Sequence, residues 1–287
     1  MNTLTWLVRR EFWENRAIWT IPVGIGGFML LAALFGRVDL MATATQLPGR
    51  AVGELFMISV GATFFAVMSI YSTWYLLDCL YADRKDRSVL FWKSLPISDA
   101  RTVMSKLALA LIVIPAVYFA AADLTTLIMA FILSVRASSS LGEALWHADL
   151  WLQLQVLWLY MIVTTAIWYL PIAAYLLVIS AWAKRAVMLW SILPPIALLL
   201  GERWFLGTHV IANILDDRLF SFPQAAFKMG SMVTTVVGDD TITKPADIWG
   251  FLSPYGFLSN PQTLIGAAVG VVLIVGAIQL RTRRTEI

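Results

Sequence analysis

Residues 80–106 read LYADRKDRSVLFWKSLPISDARTVMSK and join two long apolar stretches, residues 55–80 and 107–133. Each stretch exceeds the roughly 20 apolar residues that a helix needs to cross a bilayer. Charged side chains are costly inside lipid, so the connection between the two stretches must emerge into water. We call residues 81–106 the hinge. The hinge therefore predicts a membrane protein in which two spanning helices end on one charged segment.

The composition of the whole chain agrees with this prediction. The chain has 60% hydrophobic and 14% charged residues, whereas an average soluble domain has about 25% charged residues. We expect an all-α fold, because lipid offers backbone amides no hydrogen-bonding partner. One transmembrane domain is predicted over residues 1–287, with six spans at about 17–36, 55–80, 107–133, 152–182, 186–200 and 263–280. Pro194 and Pro195 are expected to break or bend the fifth span, and Pro171 to bend the fourth.

The distribution of charge predicts how the chain is oriented. Lys and Arg are retained on the cytoplasmic side of membrane proteins. If the amino terminus lies in the cytoplasm, most of the 21 basic residues fall on that side. The acidic pairs Asp216-Asp217 and Asp239-Asp240 then fall on the opposite side. We therefore expect both termini and the hinge in the cytoplasm. The net charge of +3 reflects this retention and an attraction to anionic lipid, and it requires no nucleic-acid partner.

The amino-terminal segment, residues 1–16, has the pattern of an amphipathic helix. Leu4, Leu7, Val8 and Phe12 share one helical face, which predicts a helix lying among the lipid headgroups. Glu11 interrupts that face. Either Glu11 pairs with a neighbouring arginine at the wet interface, or it contacts a cytoplasmic partner.

Within the hinge, charges of alternating sign at residues 83–87 precede an apolar run, residues 89–92. Pro96 is expected to end a helix at about Leu95. Ser98 can cap the next helix, helped by Asp99 near its positive end. The hinge therefore predicts a short transverse helix. Such a helix either rests on the lipid surface or docks on a partner.

Two motifs resemble one family. The run DRSVLFWKSLPISD at residues 86–99, with Lys106 at the head of the next span, resembles the cytoplasmic loop of ABC-2 type transporter permeases. In that loop an acid and a base precede an apolar pair and a Leu-Pro-(Val/Ile)-Ser turn. The run RREFWENR at residues 9–16 is similar to the amino-terminal interfacial helix of the same family. Six spans and an irregular outer segment, residues 201–262, agree with the resemblance over nearly the whole chain.

The resemblance implies the membrane subunit of an ABC exporter in a bacterial plasma membrane. In that family the hinge is a coupling helix seated on a separate ATP-binding cassette ATPase, and two permeases, identical or different, enclose the pathway. The chain has no Gly-x-x-x-x-Gly-Lys-(Ser/Thr) phosphate loop, so ATP and Mg would belong to the ATPase, and this chain would be no enzyme and bind no cofactor. The implied docking residues are Asp83, Arg84, Asp86, Arg87, Leu90, Phe91, Trp92, Lys93, Leu95 and Pro96, and Arg10, Glu11 and Glu14 belong to the interfacial helix.

Polar residues inside spans are candidates for a transport pathway. Asp123 and Thr126 lie near the middle of the third span. Asp123 is interpreted as protonated, as hydrogen-bonded across a helix interface, or as exposed to a wet cavity. The outer segment is apolar for a free loop, which predicts either short helices that dip into the outer leaflet or a small packed cap.

Two other classes of protein compete with the exporter. An ion-coupled carrier would show interrupted spans in two matching halves, and we detect no such repeat. A membrane-embedded enzyme that modifies lipids would need clustered acids for a metal, and the two acidic pairs lack a further matched set. His147 and His209 are too sparse for a metal site. We rank the carrier second and the enzyme third.

Overall fold

The computed structural model describes residues 3–36, 49–86, 97–136, 145–146, 148–228 and 248–283. Over these residues the regular structure is helical, and no β-strand is formed. Six helices of the described part are long and apolar enough to cross a membrane. The predictions of an all-α fold and of a multi-pass membrane protein are therefore confirmed.

In residues 3–36, 49–86 and 97–136 the structure describes five α-helices, and the last two are joined into one rod. They are α1 (Thr3–Glu14), α2 (Ala17–Phe35), α3 (Gly49–Lys85), α4 (Asp99–Ala108) and α5 (Ile114–Arg136). A π-helical turn, Leu109–Val113, joins α4 to α5. Pro115 follows that turn, and the wider turn accommodates a proline ring that would clash with a carbonyl in a regular helix. The predicted cap of α4 is confirmed, because the Ser98 side chain accepts a hydrogen bond from the backbone N–H of Arg101.

The described residues from Ala148 onward form four long helices and four short ones. They are α6 (Ala148–Trp168), α7 (Leu170–Trp182), α8 (Val187–Gly201), α9 (Val210–Phe220), α10 (Phe222–Ala226), α11 (Ile248–Phe251), α12 (Pro254–Ser259) and α13 (Pro261–Arg283). The predicted fourth span is divided between α6 and α7 at Tyr169, two residues before Pro171.

Pro194 and Pro195 were expected to break or bend the fifth span, and they do not break it. Both prolines lie inside the continuous helix α8. Pro195 has no N–H to offer the carbonyl of Ser191, four residues earlier. The hydroxyl of Tyr175 on α7 donates to that carbonyl at 3.0 Å. A neighbouring helix therefore satisfies the acceptor that the proline leaves without a partner.

The core of the bundle lies between five helices that pack in the spatial order α2, α5, α3, α7 and α13. Its fully buried side chains include Phe64 on α3, Ile114 and Tyr118 on α5, and Leu177 on α7. Because α3 lies between α5 and α7, it contacts both halves of the bundle. The hinge, which begins in the last turn of α3, is thus attached to the central helix.

Part of the outer segment packs against α6, and we call this part the packed cap. Phe222, Phe227, Leu252 and Phe257 are buried together around Trp168 of α6. A backbone bridge pairs Phe227 with Leu252. These residues build a second, smaller core, whereas other apolar residues of the segment, such as Phe205 and Tyr255, are exposed.

Candidate functional site

The hinge, residues 81–106, includes the last turn of α3 and most of α4. Residues 87–96 lie outside the described residues, and they include seven of the implied docking residues: Arg87, Leu90, Phe91, Trp92, Lys93, Leu95 and Pro96. We call the end of the bundle at which α3 ends and α4 begins the hinge end. The candidate site is the set of charged residues that meet there.

Five charged residues from four helices meet at the hinge end, and we call them the buried charge cluster: Glu11, Asp83, Asp99, Lys106 and Arg281. Lys106 Nζ donates to Glu11 Oε1 at 3.0 Å and to Asp83 Oδ1 at 3.3 Å. Arg281 donates through Nη1 to Asp83 Oδ2 at 3.0 Å and through Nε to Asp99 Oδ1 at 3.1 Å. Asp83 thus links the two cations.

The local sequence places each member of the cluster near a helix end. Asp99 and Lys106 lie two turns apart on one face of α4. Asp99 occupies the first turn of α4 and Arg281 the last turn of α13, where each charge is favoured by the dipole of its own helix. The cluster therefore combines the dipole preferences of two helices with contacts between four.

The charges of the cluster are both buried and paired. Lys106 is 2% exposed and Glu11 is 3% exposed, and a buried charge is tolerated when it is paired and hydrogen-bonded. Glu11 also accepts a hydrogen bond from the Tyr75 hydroxyl at 3.1 Å. Arg10 lies farther from the Glu11 carboxylate, at 3.8 Å. The main partner of Glu11 is therefore Lys106 of the same chain, which neither sequence interpretation named.

Arg84 attaches the end of α3 to α7. Its Nη2 donates to the carbonyls of Ser180 and Ala183, at 2.6 and 2.8 Å, where the carbonyl end of α7 favours a cation. The hydroxyl oxygen of Ser180 accepts from the backbone N–H groups of Leu80 and Tyr81. The end of α3 is thereby held on two sides, by the cluster and by α7.

The implied docking residues at the end of α3 fall into a buried group and an exposed group. Asp83 and Arg84 are only 9% and 6% exposed, so they face the bundle and position the hinge. Asp86 is exposed. On α1, Arg10 and Glu14 form a surface pair at 2.7 Å, and Glu11 is buried. Direct contact with a partner is thus open to Asp86, Arg10 and Glu14.

A charged cavity lies beside the cluster, between α1 and α3. Its volume is about 440 Å³. The charged lining residues are Arg10, Glu11, Glu14, Asp78, Asp83, Asp86 and Lys106. Carboxylates outnumber cations in this lining, so the cavity is an acidic recess next to the hinge.

The two pathway candidates lie far from the cluster. At 1.5 Å per residue, Asp123 is about 25 Å along the rod from Lys106. Asp123 Oδ1 accepts from Gln155 Nε2 of α6 at 2.7 Å, which is the predicted hydrogen bond across a helix interface. The Thr126 hydroxyl is buried and donates to the Ala122 carbonyl of its own helix at 2.7 Å. Thr126 therefore presents no free hydroxyl donor to a pathway.

The packed cap is attached to the bundle by two further polar groups that the sequence did not indicate. The Glu202 carboxylate accepts from the backbone N–H groups of Ile211 and Ala212, and it thus caps α9. The Arg218 guanidinium lies 4.6 Å from the centre of the Trp168 ring and donates to the Gln262 carbonyl. The two contacts of Arg218 join the cap to α6 and α13.

The chain was also compared with known proteins. No family model, no curated protein and no solved structure matches it. The function must therefore be inferred from the residues and from their arrangement.

Proposed function

We propose that the chain is the permease subunit of an ATP-binding cassette exporter. It moves a substrate outward with energy from ATP that a separate subunit hydrolyses. The observation that carries the proposal is the buried charge cluster, which joins four helices beside the segment that resembles a coupling helix.

The cluster gives the hinge a mechanical connection to the bundle. Helix α3 has 37 residues, about 55 Å at 1.5 Å per residue, and the rod formed by α4 and α5 is similarly long. Both end at the hinge, where Lys106 and Arg281 join them to α1 and α13. Arg84 adds α7. A force on the hinge is thus passed to all five elements, which favours rocking of helices as rigid bodies.

The remaining parts of the proposal follow from topology and size. Both termini and the hinge lie in the cytoplasm of a bacterium, and the spans lie in its plasma membrane. Six spans are too few to enclose a wide pathway, so two permeases, identical or different, assemble with two ATPase subunits. ATP and Mg are bound by the ATPase. Asp123 is a candidate contact for the substrate, in its hydrogen bond with Gln155.

The docking step is tested with two matched double variants. Phe91→Ala with Trp92→Ala removes the aromatic pair of the hinge. Trp204→Ala with Phe205→Ala removes an aromatic pair that is 75% and 86% exposed in the π-helical turn, Glu202–Leu206, that follows α8. Each variant is affinity-purified in mild detergent, and proteins that remain bound are identified and assayed for ATP hydrolysis.

We expect the hinge variant to lose an ATPase that the parent and the matched control retain. Equal retention of the ATPase together with normal transport in both variants would contradict docking at the hinge. Transport that requires an ion gradient and no nucleotide would instead identify an ion-coupled carrier.

The orientation is tested by labelling in a background where Cys79, the single cysteine, is replaced by Ala. Asp86→Cys places a thiol at an exposed position of the hinge. Phe205→Cys places one just after the carboxyl end of α8. An impermeant maleimide is expected to label the first only in inverted vesicles and the second in intact cells. Labelling of the hinge from the periplasm would reject the proposed topology.

A further inference from the structure

Helix α1 has two opposite faces with different surroundings. Leu7 and Glu11 lie on the buried face, and Val8 and Phe12 also pack against the core of the bundle. Leu7, Val8 and Phe12 of the apolar face therefore contact the bundle. Any residues of α1 that meet lipid lie on another face.

The face of α1 opposite Glu11 carries Trp6, Arg9 and Trp13, and Arg16 follows between α1 and α2. We call these four residues the Trp/Arg stripe. Trp6 is 50% exposed and Trp13 is 63% exposed, and both arginines are exposed. At 100° per residue the three side chains on α1 fall within about 60° of arc.

We propose that the Trp/Arg stripe is a binding surface for anionic phospholipid headgroups. Its position supports this, because the spanning helix α2 begins at Ala17, directly after Arg16. Residues immediately before a span lie at the level of the headgroups. Tryptophan is enriched at that level, and the arginine guanidinium binds phosphate through two parallel hydrogen bonds.

The pairing of tryptophan with arginine favours anionic lipid over zwitterionic lipid. The Arg9 guanidinium lies 5.5 Å from the centre of the Trp6 ring. This cation–π contact holds the guanidinium in place and leaves its positive charge available for a headgroup. A basic residue near a negatively charged membrane surface contributes about 1 kcal/mol to binding. Two arginines therefore correspond to about thirtyfold higher affinity for an anionic headgroup than for a zwitterionic one.

Binding at the stripe also has a consequence for the cluster. Glu11 projects from the opposite face of α1 to Lys106. A lipid surface that holds the stripe in place thus fixes the position from which Glu11 enters the buried charge cluster. This inference concerns a lipid site and is independent of any ATPase partner.

The test measures lipid binding to the full-length protein by native mass spectrometry. The purified protein is titrated with dioleoyl phosphatidylglycerol and, separately, with dioleoyl phosphatidylcholine. The stripe variant carries Arg9→Gln and Arg16→Gln. The matched control carries Arg101→Gln and Arg283→Gln, which remove two exposed arginines at the same end of the bundle. A third variant carries Trp6→Ala and Trp13→Ala.

We expect the parent to prefer phosphatidylglycerol, and the stripe variant to bind it about thirtyfold more weakly. The control is expected to keep most of the preference, and the tryptophan variant to weaken binding of phosphatidylglycerol as well. Equal losses in the stripe variant and the control would show a general charge effect and overturn the site. Unchanged binding in either the stripe variant or the tryptophan variant would also overturn it.

Discussion

Replacing Lys106 by Met tests whether the buried charge cluster holds the hinge end together. The substitution keeps a long apolar stem and removes the charge that contacts Glu11 and Asp83 at 3.0 and 3.3 Å. Asp83 and Asp99 would keep their contacts with Arg281. Glu11 would lose its closest cation and keep only the more distant Arg10, at 3.8 Å.

The expected magnitude follows from burial. Removing one partner of a buried ion pair costs about 3–5 kcal/mol, because the other charge stays buried without compensation. Asp83 keeps Arg281 at 3.0 Å, and Glu11 keeps the hydrogen bond from Tyr75. We therefore expect a loss near the lower limit, about 3 kcal/mol in the free energy of unfolding.

The assay is unfolding of the detergent-solubilised protein in mixed micelles, followed by tryptophan fluorescence. Lys85→Met is the matched control, because Lys85 ends α3 as an exposed lysine, and we expect a change within about 0.5 kcal/mol. The double variant Glu11→Gln with Lys106→Met removes both charges and keeps an acceptor for Tyr75. It is expected to be more stable than the sum of its single losses predicts.

Two results would refute this reasoning. One is a Lys106→Met protein as stable as Lys85→Met. The other is strict additivity of the Glu11 and Lys106 substitutions, since residues that share one ion-pair network should show coupling.

Two further predictions concern the cap and its attachment. Gly266→Ala would place a Cβ against the guanidinium of Arg218, whereas a Cβ at Gly276 of the same helix meets nothing within 4 Å. We expect Gly266→Ala to lower the thermal unfolding temperature and Gly276→Ala to leave it unchanged or raise it. Equal effects would contradict the placement of Arg218. Glu202→Ala removes the cap of α9 and is expected to cost about 1 kcal/mol, measured as faster proteolysis within residues 203–220. An unchanged cleavage rate would count against the capping role.

Much of the fold could be predicted from local patterns. The spans were predicted because apolar stretches longer than roughly 20 residues have few stable environments other than lipid. The start of α4 was predictable because Ser98 caps it through a neighbour only three residues away. Both features depend on residues close together in the chain.

Other features required contacts between distant residues. The continuity of α8 through Pro195 depends on the Tyr175 hydroxyl of α7. The small core of the packed cap forms around Trp168, which belongs to α6 and not to the outer segment. Local patterns predicted neither, because each is decided by a side chain from another helix.

In the candidate site, too, local sequence determined some features and contacts between distant residues determined others. Its location at the hinge was apparent from the sequence, since a charged segment between two apolar spans must leave the lipid. Only the tertiary structure showed that Glu11 is paired with Lys106 and that Arg281 joins Asp83 to Asp99. Glu11 and Lys106 are 95 residues apart, and Arg281 and Asp83 are 198 residues apart. A hydropathy pattern records whether a stretch prefers lipid or water, but the partner of a buried charge is set by which helix ends meet in space.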